Sequence, residues 1–516
     1  MHGIGIQRNQ MDMRRIDLFM TIFEDLSGLI HKAIETSLIE KKDKVYVRNQ
    51  VLHLLEIESF PNKLTRCTDD TIPNLLEKVV DYAIKFHVIE DVFDDKEMLT
   101  ANIMNCFIAR PSVINEIFYN KYQDSPIEAT DYFYNLSKNS NYIQMNRIAK
   151  NVSFKSDTKY GELDITINLS KPEKDPEQIK REREQKQNLD YPKCVLCREN
   201  EGYVGRLGYP ARANHRIIDV PLLDETWYLQ YSPYVYYNEH SILLSSEHRD
   251  MKIDKHAFER LLTFVEKFPH YFIGSNADLP IVGGSILSHD HYQAGRYNFA
   301  MIDAEENLSF QLERYPDLSA SVLNWPMSVI RLRGENKYDI VQAAAHIFSV
   351  WKNYQDTQVD IIPFTEKIPH NTVTPIARVR EGKFELDIVL RNNRTTDEYP
   401  LGIFHPHEDV HHIKKENIGL IEVMGLAVLP ARLKSELQEV KKFLMNSSHA
   451  VTELHLEWAN QLKEKYGEVS NWDEAETIIQ NEVGFKFSRV LEDAGVFKQT
   501  DSGNLAFKRF INTLNA

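Results

Sequence analysis

The spacing of apolar residues changes twice along this chain, and this change limits the folds it can adopt. Between residues 14 and 120, and again after residue 430, apolar positions recur at intervals of three or four, which predicts helices with one buried stripe. Residues 384–390 instead begin with apolar and charged residues in alternation, which is typical of a half-buried strand. We therefore predict an α+β protein with helical regions at both ends. The stripes are Ile16, Phe19, Ile22, Phe23, Leu26, Leu29, Ile30 and Ala33; Leu75, Val79, Val80, Tyr82, Ala83 and Phe86; and Leu433, Leu437, Val440 and Phe443.

The length of the chain predicts several domains. Its 516 residues exceed the roughly 250–300 residues at which a single hydrophobic core stops growing. Residues 170–188 are highly charged and almost without large apolar side chains, so they are expected to form a solvated linker or an exposed helix. The predicted regions are a helical N-terminal region (1–150), a first α+β unit (151–310), a second α+β unit (311–430) and a helical C-terminal region (431–516).

Each α+β unit contains its own strand signals, and the first also contains a helix signal. In the first, residues 241–246 predict a strand, residues 258–268 have helical spacing up to Pro269, and residues 281–293 predict a glycine turn followed by a strand. In the second, residues 329–332 and 384–390 predict strands. Two such units in succession are compatible with a diverged duplication, although no strict sequence repeat is present.

Charge and cysteine content exclude some classes of protein. A formal net charge of −15 argues against general nucleic-acid binding, which requires a basic surface, but small phosphorylated ligands need only local cations and backbone amides. No run approaches the roughly 18 apolar residues of a membrane span, and the first fifteen residues lack the apolar stretch of a secretory signal. Only four cysteines occur, which argues against a disulfide framework. We therefore expect a cytoplasmic protein that binds neither nucleic acid nor membrane.

Cys194 and Cys197 form a C-x-x-C pair. Such a pair indicates half of a zinc site or a redox dithiol, and the flanking residues do not predict the helix start that a thioredoxin-like dithiol requires. A half site needs two further ligands, and His248 and His289 are candidates for a Cys₂His₂ tetrahedron. Either histidine alone is more often a surface residue or a hydrogen-bonded polar one.

The segment from His289 to Gln293 is the second polar feature. On a strand, His289, His291 and Gln293 would share one face, and burying two imidazoles and an amide is costly unless they are satisfied. Just upstream, residues 283–285 read Gly-Gly-Ser, whose backbone amides can approach an anion closely. A polar strand at a sheet edge is the alternative interpretation.

Residues 283–293 resemble the H-x-H-x-Q signature of the galactose-1-phosphate uridylyltransferases, members of the histidine-triad superfamily. The residue between the two histidines is Asp290, and this resembles the second, mainly bacterial class of these enzymes. The other class has proline at this position. The similarity extends over nearly the whole chain, and the combination is specific although H-x-H-x-Q alone would not be. Further matching segments are residues 194–197, 209–212, 245–248, 404–407 and 411–425.

The resemblance implies a fold and a set of functional residues. The fold would be α+β, with two histidine-triad-like units that have antiparallel sheets. The first unit would carry the nucleophile, His291, oriented by the backbone carbonyl of the first histidine, with Gln293 donating to a phosphoryl oxygen. A structural zinc ion, with no organic cofactor, would be bound by Cys194, Cys197, His248 and His289.

The reaction implied is uridylyl transfer in the Leloir pathway of galactose metabolism. UDP-glucose and galactose 1-phosphate would give UDP-galactose and glucose 1-phosphate, by a ping-pong mechanism through a uridylyl-histidine. A neutral imidazole suits this role because its ordinary pKa is about 6.5. The implied substrate-binding residues are Gly284, Ser285, Asn276 and Lys415, and relatives suggest a homodimer. Lys414, Arg296 and Arg432 are expected to be solvated surface charges.

Two alternatives to the transferase stay open. One is a histidine-triad nucleotide hydrolase or phosphorylase, and glutamine at position 293 argues against it because glutamine cannot protonate a leaving group. The other is a non-catalytic protein that binds a sugar nucleotide. A second metal site could lie among His405, His407, His411 and His412.

Overall fold

The computed structural model describes residues 21–61, 69–170, 189–284, 286–447 and 450–515. The expected linker therefore lies almost wholly outside the described residues, as do Ile16 and Phe19 of the first predicted helix and Ser285 of the expected phosphate loop. Contacts divide the chain into two compact units. The first contains described residues of 1–149, 172–220 and 228–234, and the second those of 150–171, 221–227 and 235–516.

The first unit begins with paired helices packed around one apolar core, which includes Leu29, Leu75 and Ile103. Two of its helix ends, fifty residues apart, have the same geometry. Ser37 and His87 both adopt a φ of 59°, and the next residue in each case bonds back to an alanine carbonyl at 2.9 Å. The helices are α1 (21–35), α2 (Lys44–Leu54), α3 (Ile72–Lys85), α4 (Phe93–Asn105), α5 (Pro111–Asp124), α6 (Pro126–Asn139) and α7 (Met145–Ile148).

A ten-stranded sheet contains the strands predicted for both α+β units. Its order is β3-β4-β5-β7-β6-β13-β14-β10-β9-β8, and all of its recorded pairings are antiparallel. The α+β class is thus confirmed, with the two units' strands joined in one sheet. The strands are β3 (Ile218–Leu222), β4 (Glu225–Tyr231), β5 (Ser241–Ser245), β6 (Phe272–Gly274), β7 (His291–Gly295), β8 (Glu306–Phe310), β9 (Ser319–Leu323), β10 (Val329–Gly334), β13 (Asn371–Arg380) and β14 (Lys383–Asn392).

The two halves of this sheet have the same topology. Each half has three strands in sequence, then a helix, then two strands, and the last strand of each half pairs with the third. The helices are α8 (Lys255–Lys267) and α9 (Lys337–Asn353). The halves meet edge to edge through β6 and β13, where Gly274 opposes Ile376 and Ile273 opposes Ala377. A shared order of this kind supports the duplication that the sequence only suggested.

The helix predicted before Pro269 is confirmed as α8. Its first turn is capped by the side chain of Asp254, which accepts a hydrogen bond from the backbone N–H of Ala257. The prediction of a half-buried strand at 384–390 was wrong, because β14 is buried on both faces from Glu385 onward. Its charged residues are tolerated because they are paired: Asp387 accepts hydrogen bonds from Arg331 at 2.7 Å and from Arg378 at 2.8 Å.

A three-stranded sheet joins distant parts of the second unit. The hairpin of β1 (Val152–Thr158) and β2 (Gly161–Ile167) pairs through β2 with β15 (Leu426–Leu429), and this last pairing is parallel. A small hairpin of two strands with two residues each, β11 (Phe364–Thr365) and β12 (Ile368–Pro369), precedes β13. The remaining helices are α10 (Leu420–Val423), α11 (Leu433–Leu444), α12 (Glu453–Tyr466), α13 (Trp472–Ala494) and α14 (Asp501–Thr513), with short 3₁₀ turns at Lys41–Asp43, Arg198–Asn200, Ala300–Asp303, Thr357–Val359 and Glu408–Val410.

Candidate active site and metal-binding cluster

The candidate nucleophile stands at the start of β7. Leu244 of β5 opposes His291 in the antiparallel ladder, and Ser245 N–H donates to the Asp290 carbonyl at 2.9 Å. The prediction that the strand begins at His289 was wrong, because the N–H of Asp290 turns to the Arg249 carbonyl at 2.7 Å. The ladder with β5 therefore ends at this point.

The imidazole of His291 is buried and oriented by a single backbone hydrogen bond. Its Nδ1 lies 2.8 Å from the carbonyl oxygen of His289, and because a carbonyl can only accept, Nδ1 carries the proton. The lone pair is then on Nε2. Burial lowers the pKa of His291 to about 4, so the ring is neutral at pH 7. A neutral imidazole with a fixed tautomer is the form that can act as a nucleophile.

Gln293 lies two residues further along β7, on the same face as His291 by strand alternation. Its Oε1 is buried and has no hydrogen-bond partner in the described part of the chain. An unsatisfied buried amide costs free energy, so a bound polar molecule or water that reaches it is favoured.

The glycine loop that precedes β7 cannot accept side chains at two positions. A Cβ on Gly283 would lie 2.5 Å from the carbonyl oxygen of Ala277, and a Cβ on Gly284 would lie 2.8 Å from Nδ2 of Asn276. Ile281 in the same loop has a φ of +73°, a strained conformation for a β-branched residue. Backbone strain of this kind is concentrated at functional sites.

Asn276 connects the glycine loop to α10. Its Oδ1 accepts a hydrogen bond from Leu420 N–H at 2.9 Å, while its Nδ2 faces Gly284. In the pairing of β6 with β7, Gly274 opposes Gln293. If this antiparallel register is continued by two residues, Asn276 comes level with His291. Asn276 and Gly284 are thus neighbours, and the extended register brings Asn276 level with His291.

The two lysines that follow lie in different surroundings. Lys415 is exposed, and the structure records no contact of its ammonium group. The neighbouring Lys414, expected to be a solvated charge, is buried and donates to Glu422 at 3.1 Å and to the Val428 carbonyl at 3.0 Å. The other two expected surface charges are also paired, Arg296 with Glu239 and Arg432 with Glu436.

The four predicted metal ligands lie together. One donor atom from each of Cys194, Cys197, His248 and His289 falls within 4.8 Å of all the others. The two sulfur atoms are 3.5 Å apart, close to the roughly 3.8 Å edge of a zinc tetrahedron with 2.3 Å bonds to sulfur. Nε2 of His289 donates to the Ser245 carbonyl at 2.9 Å, which leaves Nδ1 as its ligand atom. Burial raises the pKa of Cys197 to about 11, so a bound cation is what would hold this sulfur as a thiolate.

The second histidine group does not converge on a metal position. His407 bonds through Nε2 to the Ile403 carbonyl at 3.0 Å, and His411 bonds through Nε2 to the Pro406 carbonyl at 2.9 Å. His405 contacts Pro406 and Asn417, whereas His412 packs on His455 and Trp458. Within the described ranges, the Cys₂His₂ cluster is the one group of three or more such residues that could hold a metal.

Sequence comparison decides the family. The N-terminal domain of galactose-1-phosphate uridyl transferase matches residues 37–250, and the C-terminal domain of the same family matches residues 263–460. The chain belongs to the galactose-1-phosphate uridylyltransferase family. It is therefore an enzyme of the nucleotidyltransferase type, and the resemblance read from the sequence is confirmed.

Curated uridylyltransferases are similar over almost their whole length. "Galactose-1-phosphate uridylyltransferase 1" of Streptococcus pneumoniae is 52% identical over 95% of this chain and 99% of its own, and "Galactose-1-phosphate uridylyltransferase" of Clostridium perfringens is 51% identical over 95% and 100%. Among solved structures, yeast Ap4A phosphorylase Apa2 is 13% identical, with a TM-score of 0.30 over 58% of this chain and 89% of that one. No helix among the described residues has the length and apolar character needed to cross a membrane.

One residue of the uridylyltransferase signature was missed by sequence reasoning. On a strand, Asp290 would face away from His289, His291 and Gln293, so strand alternation alone gives no reason to assign it a role. In the structure Asp290 is buried, its carboxylate lies 3.4 Å from Arg249, and Arg249 also binds Glu225. The available signal was an acidic residue inside an otherwise buried strand, which requires a cationic partner.

Proposed function

We propose that this enzyme transfers the uridylyl group of UDP-glucose to galactose 1-phosphate, giving UDP-galactose and glucose 1-phosphate in galactose metabolism. The observation that carries the proposal is the orientation of His291, whose Nδ1–H donates to the His289 carbonyl at 2.8 Å. That bond fixes Nε2 as the free lone pair of a buried, neutral ring. Family membership and the near-complete coverage of relatives bearing this name support the same reaction.

The proposed chemistry has two balanced steps. Nε2 of His291 attacks the α-phosphorus of UDP-glucose, an N–P bond forms, and the P–O bond to glucose 1-phosphate breaks with its electron pair on the departing phosphate. A phosphate oxygen of galactose 1-phosphate then attacks the same phosphorus and the N–P bond breaks, which restores neutral His291. Covalent catalysis of this kind divides one difficult displacement into two easier ones.

Three neighbouring groups would position the transferred phosphoryl group. The amide of Gln293 would donate to a nonbridging oxygen without changing its charge, which suits a reaction whose leaving groups are already phosphates. The amide of Asn276 and the backbone N–H of Gly284 would provide further donors, since Nδ2 of Asn276 lies next to Gly284. Ser285 and Lys415 complete the proposed substrate-binding set on the family resemblance alone.

The proposed metal is zinc, with a structural role. Cys194, Cys197, His248 and His289 would hold it, and the donor set of two sulfurs and two imidazoles suits this ion. When bound, zinc would fix His289, whose carbonyl orients His291. A cytoplasmic homodimer is also part of the proposal, and it rests only on the family resemblance.

Intact-mass spectrometry after mixing the protein with UDP-glucose tests the proposal. We expect a mass increase of one uridylyl group, mapped to His291 by peptide analysis, which disappears when galactose 1-phosphate is added. His291→Ala should form no adduct and lose transferase activity. His455→Ala is the matched control, because this buried histidine bonds to Glu436 at 2.9 Å and neither residue belongs to the proposed site.

The same experiment separates the alternatives. Steady release of UMP from UDP-glucose alone would identify a hydrolase, and the transferase proposal would then be wrong. Full turnover by His291→Ala would remove the covalent mechanism. Binding of UDP-glucose without any adduct would indicate a sugar-nucleotide-binding protein.

A further inference from the structure

Asp290 holds both ends of the loop that carries His248. Its carbonyl accepts a hydrogen bond from Ser245 N–H at 2.9 Å, and its own N–H donates to the Arg249 carbonyl at 2.7 Å. Residues 246–248 are the exposed loop between these two anchors. The backbone of Asp290 therefore binds the end of β5 at Ser245 and the end of the loop at Arg249.

The side chain of Asp290 strengthens the same attachment. Its carboxylate is 5% exposed and lies 3.4 Å from Nε of Arg249. The guanidinium of Arg249 also donates to both carboxylate oxygens of Glu225, at 3.1 and 2.7 Å, and Arg260 donates to Glu225 at 3.1 Å. Arg249 is thus held from two sides, because bidentate and buried ion pairs resist displacement.

Aromatic packing closes the network behind β7. Both Arg249 and Arg260 lie over the ring of Trp227, with guanidinium carbons 5.6 and 5.3 Å from its centroid. Trp227 in turn stacks on Tyr292, the residue after His291, with centroids 4.9 Å apart. The side chains behind β7 consequently form one packed and paired layer that also includes Asp290.

The geometry of the peptide bond transmits this attachment to the imidazole. The carbonyl of His289 and the N–H of Asp290 belong to one peptide group, which is planar and trans, since the cis bond found in the described chain is Tyr191–Pro192. When the Arg249 carbonyl holds the N–H on one side, the direction of the His289 carbonyl on the other side is fixed. That carbonyl accepts the proton of His291 Nδ1.

We infer that Asp290 is a positioning residue for His291. Its N–H fixes the peptide whose carbonyl selects the Nδ1–H tautomer, and its carboxylate holds the arginine that supplies the acceptor. This inference rests on the proposed function, because it assigns Asp290 a part in uridylylation of His291. It implies that losing either element slows the covalent step more than it weakens substrate binding.

The test measures single-turnover formation of the uridylyl adduct at saturating UDP-glucose, together with KM and the thermal midpoint. Asp290→Asn keeps the N–H and removes the charge, so the rate should fall about tenfold, whereas Asp290→Pro removes the N–H and should slow it about 100-fold. KM should stay within about twofold. Asp356→Asn is the matched control, since it breaks another aspartate–arginine pair, with Arg509 at 2.6 Å, and should leave the rate unchanged.

A double-mutant cycle gives a second readout. Arg249→Met should reproduce the effect of Asp290→Asn, and combining the two should slow the adduct little further, because both act through one attachment. If Asp290→Pro does not fold, the cycle and Asp290→Asn still decide. Wild-type rates in Asp290→Asn and Arg249→Met, or an equal loss in Asp356→Asn, would overturn the inference while leaving the proposed function intact. Absence of an adduct in the wild type would overturn both.

Discussion

At the scale of single residues, the glycine loop shows how a missing side chain creates room for a ligand. Gly284 faces the amide of Asn276, and that amide is held from behind because its oxygen accepts from Leu420 N–H. The nitrogen therefore cannot retreat without breaking a buried hydrogen bond. The pair forms a donor surface whose shape depends on the absence of a Cβ.

Gly284→Ala tests this surface. The added Cβ would lie 2.8 Å from Asn276 Nδ2, so we expect the amide to be displaced and kcat/KM for UDP-glucose to fall about 10- to 100-fold. The measurement is initial-rate kinetics beside a urea denaturation curve. Gly467→Ala is the control, since a side chain at its φ of +72° strains the backbone but meets only open space, so the change should cost about 1–3 kcal/mol of stability and leave kcat/KM unchanged. Wild-type kcat/KM in Gly284→Ala would show that the site does not use this surface.

Replacing Cys194 and Cys197 together by serine tests the metal. We expect zinc, measured by elemental analysis, to fall from about one equivalent toward zero, and the thermal midpoint to drop. The rate of adduct formation should fall by a smaller factor than the zinc content, because the cysteines do not touch the substrate. Cys106→Ser is the control, since its thiol donates only to the Asn102 carbonyl. Equal zinc in the wild type and the double variant would contradict the assignment.

Residue types and spacing were enough to find the donors of the Cys₂His₂ cluster, whereas the candidate nucleophile was assigned through the resemblance to the family. They could not find Arg249, Glu225 or Arg260, because the partners of a buried charge are set by the packing of separate strands and helices. The same limit explains Lys414, whose burial depends on Glu422 reaching it from α10. The local sequence pattern predicts the chemistry that a side chain is capable of. The residues packed around that side chain decide whether it is paired, buried or accessible to a ligand.

At the scale of elements, the end of α13 depends on a buried lysine. Lys498 donates to the carbonyls of Glu492 and Asp493, at 3.2 and 2.6 Å, and so caps the last turn of the helix. Its ammonium group also lies 5.3 Å from the centroid of Phe404. Burial lowers the pKa of Lys498 to about 8.

This pKa gives a dependence of stability on pH. Between pH 8 and about 10.5, the folded protein has released the proton that the unfolded chain still binds, so the contribution of Lys498 to stability rises with pH. From pH 7 to 9.5 the wild type should gain about 1 to 2 kcal/mol relative to Lys498→Met, measured by urea denaturation at both pH values. Lys508→Met, at an exposed position on α14, should show no such gain. A constant difference between the wild type and Lys498→Met would contradict the prediction.

Periodicity identified the helices more reliably than the strands. An apolar stripe with spacing of three or four is decided within one helix, and α3, α8 and α11 follow it. The alternation at 384–390 correctly predicted a strand but the wrong environment, because α9 packs against β14 and the side chains on both faces of the strand are buried from Glu385 onward. Which faces of a sheet are covered is a property of the fold and not of the strand.

At the scale of the whole molecule, the two halves of the large sheet differ in the connection between their last two strands. In the second half, β13 and β14 are joined by the two residues Glu381 and Gly382, both at positive φ, which form a tight hairpin turn. In the first half, residues 275–290 replace that turn and bring the glycine loop and His289 to the start of β7. One topology therefore supports a site in one half and a plain hairpin in the other.

The junction of the halves should be sensitive to a single methyl group. A Cβ on Gly274 would lie 2.8 Å from Cδ1 of Leu420 and 2.9 Å from the Pro375 carbonyl oxygen. We expect Gly274→Ala to lower the free energy of unfolding by about 1–3 kcal/mol, measured by urea denaturation, because a packed junction must shift. An unchanged free energy of unfolding in Gly274→Ala would contradict this prediction, because the junction would then accommodate an added methyl group without loss of stability.

The parallel pairing of β2 with β15 has a consequence for the nascent chain during its synthesis. The ribosome makes β2 roughly 260 residues before β15, and at about 5–20 residues per second this means a delay of some tens of seconds or less. During that interval the hairpin of β1 and β2 lacks the partner strand of its second edge. An unpaired strand edge is a template for association with other chains, so the nascent protein is most vulnerable to aggregation until Leu426–Leu429 has emerged.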